Sequence, residues 1–385
     1  MRTADRIANL PPYLFAEIDR KKEEKIAQGI DVISLGIGDP DLPTPQNIIS
    51  AMTEAIQEPS NHQYPSYFGA KRYRQACAEW MSRRFGVSVD PDTEVLALIG
   101  SKEGIAHVFI AYVDPGDVTL VPGSGYPVYH TGGILVGGES WFMPMTEEND
   151  FLADFESCPP EVLKRAKMMF ISYPNNPTSA IATPEYFDRA IAFAKEHDLL
   201  LIHDNAYSEL GFDGYKPISI LEHPGAKDVA IEFFSCSKSY NMTGWRIAFA
   251  AGNASAIKAL GTVKSNIDSG AFTAVQDAAI EAMLGPQDIT EELCAVYQRR
   301  RDMVMDALAD AGLSARIPKG TIYVWVKVPD GYDSASFATK VLEEANVIVA
   351  PGNAYGPSGE GYVRISLATP DDRLVEALDR IKSTL

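Results

Sequence analysis

The sequence has 385 residues, of which 46% are hydrophobic and 22% are charged, a composition typical of a soluble globular protein. This length is enough for two domains, or one large domain, with a sizeable core. Its 34 Lys and Arg against 52 Asp and Glu give a net charge of -18, which argues against nucleic acid or an anionic membrane as a partner.

The cysteines and the N-terminus indicate the compartment. The chain has 4 cysteines, at Cys77, Cys158, Cys236 and Cys294, with no C-x-x-C pair and no nearby histidine cluster. We therefore expect reduced thiols, no metal site and a cytoplasmic protein. The first ten residues carry no apolar secretion segment, and no apolar run reaches the length of a membrane span. We expect neither secretion nor a membrane anchor.

The N-terminal part is predicted to hold helices and one short strand. A helix is expected from residue 13 to Gly29, and a strand over 33–35 leads into the turn GIGDP at 36–40. The glycines of this turn allow backbone to approach a ligand closely. Helices over 45–57 and 70–85 flank an aromatic loop, QYPSYFG, at 63–69.

Strands and helices then alternate, which predicts a parallel sheet. Strands are expected over 95–99, 118–121, from 141, 167–172 and 199–202, with helices over 101–113, from 127 and over 183–198. The apolar runs VAIEFF and IAFAA lie before and after Lys238. Helices follow over 254–265, 271–284 and 288–311; then strand 321–328, helix 334–345, strand 362–368 and a helix from 371 complete an α+β unit.

Three positions in this pattern suggest a bound ligand. Lys102 lies in the first turn of a predicted helix, at the positive end of the helix dipole, where an anion shared with Ser101 would stabilise it. Asp204 follows a buried strand at its carboxyl end, where open α/β sheets bind ligands. The alternative for Asp204 is a carboxylate that caps backbone amides.

The segment SCSKSYNMTGWR, at 235–246, carries a reactive amine beside an anion site. Apolar strands on both sides desolvate Lys238 and lower its pKa, so that it can form a Schiff base with an aldehyde. Ser235, Ser237 and Arg246 offer the donors that a phosphate monoester needs. Pyridoxal 5'-phosphate (PLP) combines both groups in one molecule. By itself the segment is also compatible with an ordinary solvated lysine.

The same segment resembles the cofactor lysine region of fold-type I, class I and II PLP-dependent aminotransferases, the aspartate aminotransferase superfamily. Further motifs in the order of the family are LGIGDPDLPTP, QYPSYFG, GSKEGIAH, YPVY, YPNNPT, HDNAYSEL and YVRISLA. A finer resemblance, in YLFAEIDR, SKEGIAHVF, DGYKPIS, YNMTGWR and VKSNIDSG, is to the bacterial and archaeal LL-diaminopimelate aminotransferase branch.

The resemblance implies an α/β fold with a large PLP-binding domain, built on a mostly parallel seven-stranded sheet, and a smaller α+β domain. We place an N-terminal arm with part of the small domain at 1–45, the large domain at 46–285 and the small C-terminal domain at 286–385. It also implies a homodimer whose subunits share their active sites.

The resemblance also implies the roles of individual residues. Lys238 would hold PLP and act as general base and acid, and Asp204 would pair with the pyridine nitrogen. Tyr207 and Asn176 would bond the phenolic oxygen of PLP, and the ring of Tyr126 would cover the pyridine. The expected phosphate ligands are Ser101, Lys102, Ser235, Ser237, Arg246 and, across the dimer interface, Tyr64.

For the substrate, the resemblance assigns the α-carboxylate to Arg364. Gly38 borders that carboxylate, Asn176 lies beside it, and Tyr13 reaches toward the site. An arginine inside the apolar strand YVRISLA needs a partner, so a structural ion pair is the alternative.

The function expected is transfer of an amino group from an L-amino acid to a 2-oxo acid, with 2-oxoglutarate as acceptor and ping-pong kinetics. LL-diaminopimelate is the leading substrate, but Phe68 stands where the resembled enzymes usually carry a glutamate suited to a distal ammonium. A neutral or aromatic amino acid therefore stays open as substrate. A PLP-dependent C–S or β-lyase would use the same Lys238, Asp204 and Arg364, and it also stays open.

Overall fold

The computed structural model describes residues 1–11 and 14–385, with residues 14–19 described by their backbone alone. Its strands are β1 (Ile33–Ser34), β2 (Val95–Leu98), β3 (Val118–Pro122), β4 (Glu139–Met143), β5 (Ala166–Ile171), β6 (Leu200–Asp204), β7 (Ala230–Ser235), β8 (Ala248–Gly252), β9 (Ser314–Ala315), β10 (Tyr323–Lys327), β11 (Val347–Ile348), β12 (Ala350–Pro351) and β13 (Tyr362–Ser366).

The helices alternate with these strands. They are α1 (Asp5–Ala8), α2 (Leu14–Ala27), α3 (Gln46–Ala55), α4 (Lys71–Phe85), α5 (Ser101–Tyr112), α6 (Val128–Val136), α7 (Pro160–Leu163), α8 (Pro184–Glu196), α9 (Ala226–Val229), α10 (Cys236–Ser239), α11 (Ala254–Ile267), α12 (Thr273–Leu284), α13 (Asp288–Asp310), α14 (Ser334–Ala345) and α15 (Asp371–Lys382). Within the described chain, no helix combines the length and the apolar character needed to cross a bilayer.

The larger sheet has 7 strands in the order β2-β8-β7-β6-β5-β3-β4. All neighbours run parallel except β8, which is antiparallel to both β2 and β7. The predicted mostly parallel seven-stranded sheet is therefore confirmed. Helices cover both faces, since α5 packs between α6 and α11 on one side and α12 packs on α3 and α4 on the other.

Both faces of this sheet bury aromatic side chains. One face holds Trp80, Phe234 and Phe249, and the other holds Phe109 and Phe170. This explains why the central strands are continuous apolar runs, as expected for parallel strands that are covered on both sides.

A 4-stranded sheet of order β12-β13-β10-β9 and a parallel pair of β1 with β11 lie beside the large sheet. Their apolar core includes Tyr297 of α13, Phe337 of α14 and Leu374 of α15. β1 belongs to the N-terminal part of the chain and β11 to the C-terminal part. The division into a large domain and a small domain of two chain segments, with boundaries at 45/46 and 285/286, stays a prediction.

Two features of this architecture position the site. The carboxyl ends of the parallel strands β5, β6 and β7 meet at one edge of the large sheet. There β5 leads into the 172–178 turn, β6 ends in Asp204 and β7 leads into α10. β13 brings Arg364 to that edge from the other sheet, where it pairs with Trp325 of β10.

Candidate active site

A cavity of about 460 Å³ lies between the two sheets. Twelve of the residues predicted from the sequence line it: Gly38, Ser101, Lys102, Tyr126, Asn176, Asp204, Tyr207, Ser235, Ser237, Lys238, Arg246 and Arg364. Tyr64 does not line this cavity in its own subunit and is 90% exposed. Tyr13 lies outside the described residues.

Lys238 lies on the short helix α10, directly after β7. Burial lowers the pKa of its amine, although Tyr323 and Asp39 oppose this effect. Its Nζ donates a hydrogen bond to the carbonyl oxygen of Gly38. The desolvation expected from the flanking apolar strands is therefore present, and the amine is held at one wall of the cavity.

An anion cradle forms where α5 begins. Ser101 and Lys102 open this helix, and Gly100 precedes them in the left-handed region at φ 83°. A Cβ on Gly100 would come within 2.3 Å of the Arg246 guanidinium, so this close approach requires glycine. Ser235 and Ser237 line the same cavity. Backbone amides, hydroxyls and cations thus converge as a phosphate requires.

Asp204 is buried, and its carboxylate has two different environments. Oδ2 accepts a hydrogen bond of 2.6 Å from the Tyr129 hydroxyl. Oδ1 is buried at the cavity and has no hydrogen-bond partner among the described residues. Burial raises the pKa of Asp204 to about 6, despite the opposing effects of Tyr129 and His203. A buried acceptor of this kind favours a cationic donor in the cavity.

Arg364 is only 1% exposed. Its guanidinium donates to Asn176 Oδ1 at 2.7 Å and to the Gly36 carbonyl oxygen at 2.6 Å. Its Cζ lies 3.9 Å from the centroid of the Tyr323 ring and 4.9 Å from that of Tyr355. These contacts hold a buried cation at the cavity wall, which suits a carboxylate ligand.

Several cavity residues were not predicted from the sequence: Ile37, Asp39, Tyr129, Ser172, Ala206, Thr243 and Tyr323. Tyr129 ends the quoted motif YPVY, and its place one helical turn after Tyr126 is a signal that could have found it. Tyr323, whose hydroxyl accepts from Tyr207 at 3.2 Å, lies in an apolar strand of the second sheet and carries no such signal.

The family model described as "Aminotransferase class I and II" matches residues 30–381. The chain belongs to the class I and II aminotransferases. It is 56% identical over 382 residues to an LL-diaminopimelate aminotransferase of Desulforudis audaxviator, covering 99% of this chain and 97% of that protein.

Solved structures agree with this family. A substrate-bound BacF structure from Bacillus subtilis matches with a TM-score of 0.95 and 40% identity, covering 100% of this chain and 98% of that one. A structure described as a probable N-succinyldiaminopimelate aminotransferase from Thermus thermophilus matches with a TM-score of 0.91 and 37% identity, covering 97% and 100% of the two chains.

The protein is thus a PLP-dependent aminotransferase that moves an amino group from an amino acid to a 2-oxo acid. A ping-pong course and the 2-oxoglutarate and glutamate pair are typical of this family. The cavity of this aminotransferase fits PLP on its own chemistry, because a desolvated lysine, an anion cradle and the unpartnered Oδ1 of Asp204 line one space. These match the aldehyde, the phosphate and the protonated pyridine nitrogen of the cofactor.

Proposed function

We propose that this aminotransferase acts on LL-diaminopimelate in lysine biosynthesis, with 2-oxoglutarate as the amino acceptor. The observation that carries the proposal is the identity of 56% to an LL-diaminopimelate aminotransferase over 99% of this chain. The cavity supports it with a buried arginine for an α-carboxylate and a lysine of lowered pKa beside it.

We assign the cofactor to residues of the cavity wall. Lys238 would bind the aldehyde carbon, Asp204 would pair with the ring nitrogen, and Tyr126 would cover the ring. Tyr207 and Asn176 would bond the phenolic oxygen. The phosphate would be held by Ser101, Lys102, Ser235, Ser237 and Arg246. When bound, PLP supplies an electron sink for the pair left behind when a Cα proton departs.

The remaining chemistry belongs to the side chains. Arg364 binds the substrate α-carboxylate with its paired donors. Gly38, which has no Cβ, lets the Tyr323 hydroxyl lie against the backbone beside that carboxylate. This binding orients the Cα–H bond toward Lys238. Once the substrate amine has taken its place at the aldehyde carbon, the free Nζ of Lys238, with its lowered pKa, would take the Cα proton and deliver it to that carbon, acting as base and then as acid. The charged Asp204 would maintain a proton on the ring nitrogen.

The side-chain end of the substrate is bound by groups at the rim. Phe68 packs against Gly261 of α11 and does not line the cavity of its own subunit. A glutamate at position 68 would therefore not contact a substrate in that same cavity. Asp39 is exposed, lines the cavity and offers a carboxylate to a distal ammonium.

We further propose a homodimer that works in the cytoplasm. Large apolar side chains are exposed around the loop at 63–69 and the end of α11: Tyr64, Tyr67, Phe68, Ile267 and Phe272. A second copy covering this apolar patch would bring Tyr64 toward the phosphate of the neighbouring site. The cysteines Cys77, Cys158, Cys236 and Cys294 are free, which supports a reducing compartment.

The substrate is tested by single half-reactions. The purified PLP enzyme is mixed separately with LL-diaminopimelate, alanine, aspartate, glutamate and an aromatic amino acid, and the loss of the cofactor's visible absorbance is followed. Fast loss with LL-diaminopimelate supports the proposal. Loss with only a neutral or aromatic amino acid would overturn the substrate and leave the reaction class standing. Pyruvate and ammonia formed without an acceptor would instead identify a lyase.

The role of Lys238 is tested by Lys238→Ala, with the exposed Lys164→Ala as a matched control. Lys238→Ala should bind PLP without the absorbance of the lysine-bound cofactor, and turnover should fall by about four orders of magnitude or more. Lys164→Ala should behave like the wild type. Retained turnover in Lys238→Ala would overturn the assignment of the proton-transfer residue.

A further inference from the structure

Tyr323 lies between the two groups on which the proposed reaction depends. It is the first residue of β10, which pairs with β13, the strand that carries Arg364. Its side chain is 3% exposed and lines the cavity. The ring covers one face of the Arg364 guanidinium, with 3.9 Å between Cζ and the ring centroid. An aromatic face at this distance restricts the plane of the guanidinium.

The hydroxyl of Tyr323 makes a second set of contacts. It accepts a hydrogen bond of 3.2 Å from the Tyr207 hydroxyl. It also lies against Gly38, where a Cβ would come within 2.0 Å of the Tyr323 oxygen. The carbonyl oxygen of Gly38 in turn accepts from Lys238 Nζ. One corner of the cavity therefore contains the Tyr323 hydroxyl, the Tyr207 hydroxyl and the lysine amine.

The charges around this corner couple the tyrosine to the lysine. Burial alone would raise the pKa of Tyr323, but the positive charges of Arg364 and Lys238, together with the hydrogen bond from Tyr207, lower it overall. In return, Tyr323 raises the pKa of Lys238 against the effect of burial. The other groups that face this pair are Asp39, Arg246, Arg364, Tyr207 and Tyr297.

We propose that Tyr323 is a positioning residue with two separable tasks: its ring fixes the plane of Arg364, and its hydroxyl holds the Tyr207 hydroxyl and supports Gly38, whose carbonyl oxygen holds the Lys238 amine for proton transfer. The proposal rests on the proposed role of Lys238 as base and acid. Tyr355 offers a matched comparison, because its ring also lies over Arg364, at 4.9 Å from Cζ.

The two tasks are separated by Tyr323→Phe and Tyr323→Leu. Tyr323→Phe keeps the ring, so binding of the unreactive 2-hydroxy analogue of the substrate should stay within about twofold of the wild type. The kcat of Tyr323→Phe should fall about tenfold. The pH titration of the bound cofactor's absorbance should move to lower pH, because the proton affinity of the lysine-bound cofactor should fall about threefold or more. Tyr323→Leu should in addition weaken binding of the analogue by about tenfold.

Tyr355→Phe is the control and should leave the titration unmoved. An unchanged kcat and titration in Tyr323→Phe, or an equal shift in Tyr355→Phe, would overturn the proposal. If Tyr323→Phe does not fold, a protein with 3-fluorotyrosine at position 323 is used instead. This more acidic phenol should move the titration of the bound cofactor to higher pH. An unmoved titration would count against the proposal. An inactive Lys238→Ala beside a normal Tyr323→Phe would refute this inference alone.

Discussion

Gly38 shows how one missing side chain makes room for a neighbouring tyrosine at the proposed substrate site. A Cβ at this position would lie 2.0 Å from the Tyr323 hydroxyl oxygen and 2.6 Å from its ring. Gly38→Ala should therefore displace Tyr323 and narrow the space for the α-carboxylate, lowering kcat/KM by roughly 10- to 100-fold. Steady-state kinetics would measure this loss.

Gly244→Ala is the matched control for Gly38→Ala, since nothing lies within 4 Å of a Cβ built there. It should retain kcat/KM near the wild-type value. Equal values for the two variants would show that Tyr323 moves freely and that the close approach at Gly38 has no effect on substrate binding.

Asp204 gives a pH-dependent prediction for the cofactor-free protein. Its pKa is raised from 3.8 to about 6, so the folded protein binds the proton more tightly than the unfolded chain. Stability is therefore lost as pH rises from about 4 to about 6, by about 3 kcal/mol in all, and the loss is complete above that window. Asp204→Asn removes this loss and should stabilise the cofactor-free protein at pH 8 but not near pH 4.

Urea unfolding at the two pH values measures this difference in stability between Asp204→Asn and the wild type. PLP should act in the opposite direction. The loaded Asp204→Asn variant lacks the carboxylate that pairs with the ring nitrogen and should gain less stability from PLP than the wild type. A cofactor-free Asp204→Asn protein that is less stable than the wild type at pH 8 would contradict this account of the burial of Asp204.

The cavity residues that could be predicted from the sequence are those with unusual chemistry for their local position. Lys102 in a first helical turn, Asp204 at a strand end and Arg364 inside an apolar strand each require a partner. Tyr323 could not be predicted in this way, because a tyrosine in an apolar strand is an ordinary core residue. Only the packing of the two sheets shows that its hydroxyl contacts that of Tyr207. For Tyr129 the motif gave a signal, but its hydrogen bond to Asp204 is visible only in the folded chain.

At the scale of elements, a buried polar network connects strands β6 and β7 behind the cavity. The carboxylate of Glu232 on β7 is fully buried and accepts from His203 Nδ1 and Asn205 Nδ2, both at 2.8 Å, and from the Ser219 hydroxyl. His203 precedes Asp204 and also contacts the backbone of Tyr173, which follows β5. The network therefore ties together the strand ends that carry the site.

Glu232→Gln should loosen this edge of the sheet. The amide oxygen could still accept from His203 and Asn205, but without the charge that strengthens these bonds, and the amide nitrogen would face the Ser219 hydroxyl that now donates to the second carboxylate oxygen, at a cost of about 2 kcal/mol. Chemical unfolding would measure the loss, and Glu139→Gln, at an exposed ion pair with Arg165, should change the midpoint little. Equal midpoints for the two variants would show that the network does not contribute to stability.

The elements themselves were largely predictable, because long apolar runs and helix caps are local signals. The helix at 334–345 has the predicted bounds, and Thr183 accepts from the Tyr186 amide as the predicted cap of α8. The antiparallel direction of β8 could not be predicted, since its run AFAAG resembles a parallel strand. Strands β9, β11 and β12 have 2 residues each and are too short for any periodicity.

At the scale of the whole molecule, the site needs both sheets. The large sheet supplies Lys238 and Asp204, whereas β13 and β10 of the smaller sheet supply Arg364 and Tyr323. A change in the spacing of the two sheets would move the proposed carboxylate site relative to the lysine. The proposed roles of Arg364 in substrate binding and of Lys238 in proton transfer therefore both depend on the packing of the two sheets.

The shared site of the proposed homodimer can be tested by mixing two impaired variants, Lys238→Ala and Tyr64→Ala. If Tyr64 acts in the neighbouring subunit, a mixed dimer has one site with both defects and one site with neither. If equal amounts of the two variants exchange subunits freely, half of the dimers are mixed and each has one intact site. About a quarter of all sites should then regain activity at limiting PLP. If Tyr64 acts within its own subunit, every site carries a defect and mixing restores nothing. Activity before and after exchange distinguishes these outcomes, with each variant exchanged against itself as the control.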